Sequence, residues 1–407
     1  MHNKKNFIKS IILDMVPVLS GLIGKVSLVS SFAIIWASEL NINSSHFILQ
    51  NVRTEIFISS IITLLTSIFF HNIMPAGTLA PLIVYIPIMA HLGIHPFILN
   101  IFIGIIGLVC VKTKLLDKII SFSGETTKTC LTLVFGISGV VLAVRNLFAY
   151  FVDNYMHLII LLLALSFVYA FLLYCNKTWL IIPIAAVASV IYSRVAGIDL
   201  FAASTIDPVI LNPYKWWVDL WGMGFTFDAL SMLITIPFAM FAVLLITVDT
   251  VSIQTVIKSE ENDIKENADY KKSFVFVFVR NIIGSIFGGA QTGSLWRSFL
   301  IPLYSMKRPL RRASILLGIL GFCSSVTVVP IMIFSYPPLV WTVLLFGVFL
   351  TFVSKGLINV SKSVNNVKII IVISTIIGLI INPIISWLFI IVAEKQRRLD
   401  NRFKDCR

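Results

Sequence analysis

Long apolar runs separated by short polar stretches recur along almost the whole chain. A transmembrane helix needs about 20 mostly apolar residues. Eleven runs approach or exceed that length, at residues 16–37, 54–70, 96–111, 129–149, 157–174, 179–196, 228–254, 273–287, 313–330, 337–354 and 368–382. Three further runs, at 77–90, 293–305 and 384–393, are short and interrupted. The pattern predicts an all-α polytopic membrane protein with fourteen transmembrane segments, in which segments 3 and 10 are broken short helices.

The composition supports this class. The 407 residues are 58% hydrophobic and 13% charged, with a mean hydropathy of +0.96, whereas soluble domains carry about 25% charged residues. A soluble globular protein, a nucleic-acid-binding domain and a disordered chain are therefore excluded, despite the net charge of +13. The five cysteines have neither metal-ligand spacing nor the pattern of a disulfide framework. No metal and no cofactor are expected, and no cleavable signal peptide precedes the first segment.

The lysine and arginine residues predict how the segments are oriented. Cytoplasmic loops of membrane proteins carry the excess of these residues. With the N-terminus inside, 25 of the 32 basic residues fall in inner loops and tails. Four fall in outer loops, namely Arg53, Arg145, Arg194 and Lys215. Both termini are therefore predicted to be cytoplasmic.

The two broken segments, 3 and 10, are similar to each other. Gly77-Thr78-Leu79 in segment 3 aligns with Gly293-Ser294-Leu295 in segment 10. Seven segments per half place the halves in opposite orientations, which is the inverted repeat common in secondary transporters. In each, an extended Gly- and Pro-containing stretch precedes a short apolar helix, whose first N–H groups and dipole would favour an anion. The predicted binding residues are Gly77, Thr78, Leu79, Gly293, Ser294, Leu295 and Arg297; close helix packing at these small residues is the alternative.

Charged residues inside apolar runs form a second group of candidates. A charge at the bilayer centre costs at least about 2.5–3.5 kcal/mol, so each requires a reason. Asp249 in segment 8 and Lys25 in segment 1 are predicted to handle the coupling ion, and Arg297 to attract an anion. The alternative is a structural ion pair of Asp249 with Lys25 or Arg297. Arg280 lies close enough to the inner end of segment 9 to be expected to snorkel to the interface.

An aromatic stretch is expected on the outer face. The residues from Tyr214 to Phe225 read YKWWVDLWGMGF and cluster three tryptophans. Such clusters are typical of interfacial aromatic belts. The stretch is therefore predicted to lie on the outer membrane surface, with a substrate lid as the alternative.

Several motifs resemble those of known families. GSIFGGAQTGSLWRS, from Gly284 to Ser298, resembles the segment 10 signature of the sulfate permease family. The broken segments and the seven-plus-seven count match that family and its structural relative, the nucleobase–ascorbate transporters. IGKVSLV, LQNVRTE, AGTLAPLI and NPYKWW resemble a bacterial membrane-protein family of unknown function, over residues 14 to 392.

The resemblance implies a division into two domains. A core domain would comprise segments 1–4 and 8–11, at residues 16–128 and 226–330. A gate domain would comprise segments 5–7 and 12–14, at 129–225, including the outer aromatic loop, and 331–393. A cytoplasmic N-tail (1–15) and a basic cytoplasmic tail (394–407) would flank them. Substrate would be held between segments 3 and 10, and Asp249 falls where these families place an acidic residue on segment 8.

These observations favour a secondary active transporter in a bacterial inner membrane. Its substrate is expected to be a small anion such as sulfate, bicarbonate or a small carboxylate, coupled to H⁺ or Na⁺ through an elevator-type movement. The alternatives are a nucleobase:proton symporter and an anion channel. No enzyme motif is present. The expected partners are the anionic solute, the coupling ion and lipid, with no nucleic acid; the oligomeric state is open, a homodimer through the gate domain being the candidate.

Overall fold

Helices make up nearly all of the described chain. The structure is a computed structural model that describes residues 2–42, 44–70, 72–116, 118, 124–150, 155–195, 207–222, 229–260, 268–383 and 385–394. Its α-helices are α1 (His2–Glu39), α2 (Ser45–Phe69), α3 (Ile86–His91), α4 (Pro96–Lys112), α5 (Glu125–Tyr150), α6 (Tyr155–Tyr174), α7 (Ile181–Val195), α8 (Ala229–Glu260), α9 (Tyr270–Ile286), α10 (Arg297–Ser305), α11 (Leu310–Thr327), α12 (Val329–Phe334), α13 (Pro337–Leu344), α14 (Leu350–Lys362), α15 (Asn365–Ile380) and α16 (Ile385–Glu394). Short 3₁₀ turns at Ala80–Tyr85 and Thr178–Leu180 lead into α3 and α7, and π-helical turns occupy Lys215–Leu220 and Leu345–Phe349.

Eight helices in the described ranges are long and apolar enough to cross a membrane. They are α1, α2, α5, α6, α7 with its 3₁₀ turn, α8, α11 and the continuous run from α13 to α14. Shorter apolar helices lie in segments 3, 4, 13 and 14, and every predicted apolar run contains a helix. The prediction of an all-α polytopic membrane protein is confirmed. The count of fourteen crossings stays a prediction.

The helices pack in pairs that cross between the two halves of the chain. Helix α2 packs along α11, and α4 packs along α9. Helix α1 contacts α10, α11 and α13. In another group, α5 packs against α13, α14 and α15, while α7 packs against α13. The broken segments 3 and 10 lie where these groups of helices meet.

The second helix begins at Ser45, well before the predicted start at residue 54. Ser44 caps it, since its hydroxyl accepts from the N–H of Phe47 at 3.2 Å. Arg53 consequently lies within α2, with 2% of its surface exposed. Its Nε donates to the carbonyl of Ser325 at 3.1 Å and its Nη1 donates to the carbonyl of Asp207. The placement of Arg53 in an outer loop is wrong, because backbone carbonyls inside the protein satisfy its guanidinium.

Arg280 is fully buried in α9 and does not reach the membrane interface. Its guanidinium forms an ion pair with Glu55 of α2, and both side chains are almost completely inaccessible. The Glu55 carboxylate also accepts from Ser59 Oγ at 2.9 Å and from Gln291 Nε2. The expectation that Arg280 snorkels is therefore wrong, since a buried acidic partner compensates its charge.

The tryptophans of the aromatic stretch pack into the protein rather than against lipid. Within the described residues up to 222, Trp216, Trp217 and Trp221 expose 6% of their surface or less. The Trp221 ring stacks edge-on against Phe47 at 4.8 Å. The predicted interfacial belt from Tyr214 to Phe225 is wrong for these three side chains. They fill the space over the ends of α2 and α4.

A glycine makes this packing feasible. Gly288, just after α9, has φ +92°, and a Cβ there would lie 2.2 Å from the ring of Trp216. The side-chain amide of Asn51 donates to the Gly288 carbonyl. Only a residue without a side chain fits both this backbone conformation and the tryptophan.

Candidate functional site

The extended stretches of segments 3 and 10 cross each other inside the protein. Ala76 and Leu295 form an isolated antiparallel β-bridge. The N–H of Gly77 donates to the carbonyl of Ser294 at 2.6 Å, and the N–H of Ser294 donates back at 3.4 Å. A Cβ on Gly77 would lie 2.4 Å from the Cα of Trp296. The two chains can therefore approach this closely because residue 77 is glycine.

The crossing removes the free backbone N–H groups on which the expected anion site depends. The helices begin after it, with the 3₁₀ turn at Ala80 and α10 at Arg297, rather than at Gly77 and Gly293. The N–H of Gly293 donates to Asn281 Oδ1 at 2.6 Å. The backbone N–H groups already hydrogen-bonded within the protein are those of Gly77, Leu79, Gly293 and Ser294. The expectation of free N–H groups is wrong at these positions, because extended backbone at membrane depth satisfies itself by pairing.

A buried polar network holds segment 10 in place behind the crossing. Thr78 Oγ1 donates to Gln291 Oε1, and Gln291 in turn donates to Glu55. Thr292 Oγ1 donates to Asn100 Oδ1 at 2.5 Å. These residues come from segments 2, 3, 4 and 10. The network therefore fixes the positions of the two broken segments relative to the helices beside them.

Asp249 and Arg297 form an ion pair in front of the crossing. Arg297 Nη1 lies 3.0 Å from Asp249 Oδ1, with 22% of the arginine side chain and 8% of the aspartate side chain exposed. The hydroxyl of Ser294 donates to Asp249 Oδ2 at 2.9 Å. The Arg297 guanidinium lies 4.6 Å from the centroid of the Phe352 ring. The structural pairing considered for Asp249 is thus present with Arg297.

Lys25 lies nearby but has other partners. Its Nζ donates to the carbonyl of Ala76 at 2.9 Å and sits 4.2 Å from the centroid of the Trp296 ring. Only 1% of its surface is exposed. Lys25 therefore donates a hydrogen bond to a carbonyl at the crossing and adds a cation–π contact. It does not pair with Asp249.

A cavity with about 780 Å³ of space free of protein atoms, its open mouth included, lies against this pair. Four of the predicted residues line it, namely Lys25, Thr78, Asp249 and Arg297. The other five belong to the crossing behind its wall, namely Gly77, Leu79, Gly293, Ser294 and Leu295. A smaller space of about 380 Å³, which includes Lys128 in its wall, shares four lining residues with the larger one, namely Pro81, Asp249, Arg297 and Phe352.

Sequence reasoning missed the side of the cavity formed by α7 and α14. Trp179, Thr351, Phe352 and Lys355 line this side. The apolar run of segment 12 ends at residue 354, so the sequence predicts that Lys355 is one of the basic residues of an inner loop. The helix in fact continues to Lys362. Thr351 and Lys355 lie one turn apart on one helix face, and this spacing is the sequence pattern that indicates a helix continuing past residue 354.

Comparisons with known proteins identify the family and the fold. The model of a family described as "Protein of unknown function (DUF3360)" matches residues 5–403. A search of curated proteins gave no match. The transmembrane domain of the cyanobacterial bicarbonate transporter BicA matches with a TM-score of 0.60 and 12% identity, over 93% of this chain and 97% of that one. The murine anion transporter Slc26a9, in its inward-facing state, matches with a TM-score of 0.58 and 14% identity, over 95% of this chain and 69% of that one.

These similarities concern the fold. At such low identity they establish a shared architecture. The fold expected from the resemblance to the sulfate permease family is thereby confirmed.

Proposed function

The chain belongs to the DUF3360 family of proteins of unknown function, and from that premise we propose that it is a secondary active transporter of a small anion. Sulfate, bicarbonate and small carboxylates are the candidate substrates. The fold it shares with a bicarbonate transporter and an anion transporter supports this class.

The charge of the cavity wall is the observation that carries the proposal. Three basic residues, Lys25, Arg297 and Lys355, line it together with one acid, Asp249. Apolar side chains such as Trp179 and Phe352 form much of the remaining wall. Charges act more strongly in such surroundings than in water. A cavity with excess positive charge at membrane depth attracts an anion.

Coupling follows from the pair between Asp249 and Arg297. While Asp249 is ionised, it engages Arg297 at 3.0 Å and neutralises it. A proton or Na⁺ on the carboxylate would weaken this pair and leave the guanidinium to the anion. Cation and anion then bind more tightly together than apart. That reciprocity is the thermodynamic basis of symport.

The same proposal includes the architecture expected from the sequence. Fourteen segments would form a core (segments 1–4 and 8–11) and a gate (5–7 and 12–14) that move relative to each other, with both termini in the cytoplasm of a bacterial inner membrane. The pairs α2–α11 and α4–α9 support the inverted repeat, since a shift of seven segments converts one pair into the other. The cavity lies between proposed core helices α1 and α10 and proposed gate helices α7 and α14. A homodimer through the gate is the proposed assembly.

Uptake by the purified protein in liposomes tests the function. Labelled sulfate, bicarbonate and succinate are offered with an inward H⁺ gradient, an inward Na⁺ gradient or neither. Saturable accumulation of one anion that depends on a gradient is expected. Uptake of uracil instead would favour a nucleobase symporter, and a non-saturating anion conductance would favour a channel. Thermal unfolding identifies the ligand independently, since a ligand at 100 times Kd stabilises by about 2.7 kcal/mol.

A further inference from the structure

Lys355 is a third basic residue of the cavity wall, beside Lys25 and Arg297. It lies on α14, within the proposed gate, whereas Arg297 and Asp249 lie on α10 and α8. It lines the same cavity as both and interacts electrostatically with each of them. Phe352, one turn earlier on α14, stacks on the Arg297 guanidinium. The helix therefore places a second positive charge near Arg297.

The other two basic residues of the wall already have partners. Arg297 is engaged by Asp249 at 3.0 Å, and Lys25 by the carbonyl of Ala76 at 2.9 Å. Among the described residues, neither an ion pair nor a hydrogen bond involves the Lys355 ammonium. Its side chain is partly buried in the cavity wall, with Asp249 and Arg297 as charged neighbours rather than as salt-bridge partners.

A lysine that only anchored the helix at the inner membrane surface would be exposed and would lie near the end of the helix. Lys362, in the last turn of α14, is exposed and suits that role. Lys355 lies two turns deeper, in the wall that contains Arg297. Its position thus favours a contact with whatever occupies the cavity.

We propose that Lys355 contacts the transported anion directly and makes the cavity selective for anions with two negative charges. The inference rests on the proposed function. Once the coupling cation has neutralised Asp249, the Arg297 guanidinium and the Lys355 ammonium present the anion with an excess of two positive charges, while Lys25 stays on the carbonyl of Ala76. A dianion neutralises this excess, whereas a monoanion leaves one positive charge uncompensated among apolar side chains. Sulfate and dicarboxylates fit this class, and bicarbonate does not.

The test compares anions of matched shape but different charge. Binding of sulfate and methyl sulfate, and of succinate and monomethyl succinate, is measured by thermal shift on the full-length protein in detergent. The variants are Lys355→Met, Lys355→Gln and Lys355→Arg, with Lys362→Met as the matched control on the same helix. Size-exclusion elution as a single peak shows that each variant is folded. Using both methionine and glutamine keeps the test informative when one of them does not fold.

Wild-type protein is expected to prefer the dianion in at least one pair by about tenfold or more, the scale of one charge-assisted contact. Lys355→Met and Lys355→Gln should lose most of that preference, Lys355→Arg should keep it, and Lys362→Met should match wild type. Unchanged selectivity in a folded neutral variant would overturn the inference, as would an equal loss for both charges or a wild-type preference for the monoanion. A wild-type protein that binds none of these anions, and transports none, would instead overturn the proposed function.

Discussion

Replacing Glu55 by glutamine should destabilise the protein by about 3–5 kcal/mol, the usual cost of removing one partner of a buried ion pair. The side chains of Glu55 and Arg280 are 0% and 1% exposed, so water cannot replace the lost charge. Ser59 and Gln291 also donate to the carboxylate. A glutamine would leave the guanidinium without a counter-ion and would present an amide donor to groups that are themselves donors.

The loss should be measurable as a lower Tm in detergent. At roughly 2.1 cal/mol/K of unfolding entropy per residue, a 407-residue chain gives about 0.85 kcal/mol/K, which converts the loss into about 4–6 °C. Fluorescence-detected gel filtration after heating gives the Tm. Glu39→Gln, at the exposed end of α1, is the matched control and should leave Tm unchanged.

A double variant separates the lost pair from other damage. Glu55→Gln combined with Arg280→Met removes the stranded guanidinium, so it should be more stable than Glu55→Gln alone. Two results would refute the reasoning. One is a Glu55→Gln variant as stable as Glu39→Gln. The other is a double variant whose loss of stability equals the summed losses of Glu55→Gln and Arg280→Met measured separately.

Three further variants test the site and its packing. Asp249→Asn should abolish gradient-driven accumulation while the folded protein still binds anion, because the amide cannot cycle a proton; normal accumulation at every pH would make Asp249 structural only. Arg297→Ala should weaken anion binding by about 2 kcal/mol or more, with lysine restoring only part; unchanged affinity in folded protein would remove Arg297 from the site. Gly288→Ala should lower Tm, because a methyl group would meet the Trp216 ring at 2.2 Å and φ is +92°; equal stability would show that the ring moves aside.

Hydropathy and intramembrane polarity predicted much of the fold and part of the site. The apolar runs locate the helices because lipid-facing helices must be apolar over their length. Lys25, Thr78, Asp249 and Arg297 stood out as polar groups within or beside such runs, and all four line one cavity. Placing a charge in lipid is so costly that its presence in a sequence signals an interior position.

The missed residues lie at the ends of the predicted runs. Two of them, Arg53 and Lys355, lie just outside a predicted run, and Glu55 is the second residue of one. A hydropathy pattern cannot distinguish a charged residue that ends a helix from one that lies inside it. That distinction depends on partners far along the chain, as with Glu55 and Arg280. The pairing of Gly77 with Ser294 was unpredictable for the same reason. Gly77 permits the close approach, but a glycine alone does not identify the segment with which it pairs.

The antiparallel crossing also sets a condition on how the protein is made. The backbone groups of Gly77 and Leu79 are satisfied by Ser294 and Thr292, which are synthesised more than two hundred residues later. At about 5–20 residues per second, the ribosome needs roughly 10–40 s to reach them. During that time the extended stretch of segment 3 has no partner, and lipid cannot supply one. Until segment 10 arrives, the stretch around Gly77 must therefore either satisfy its own backbone groups in another conformation or be sheltered from the hydrocarbon.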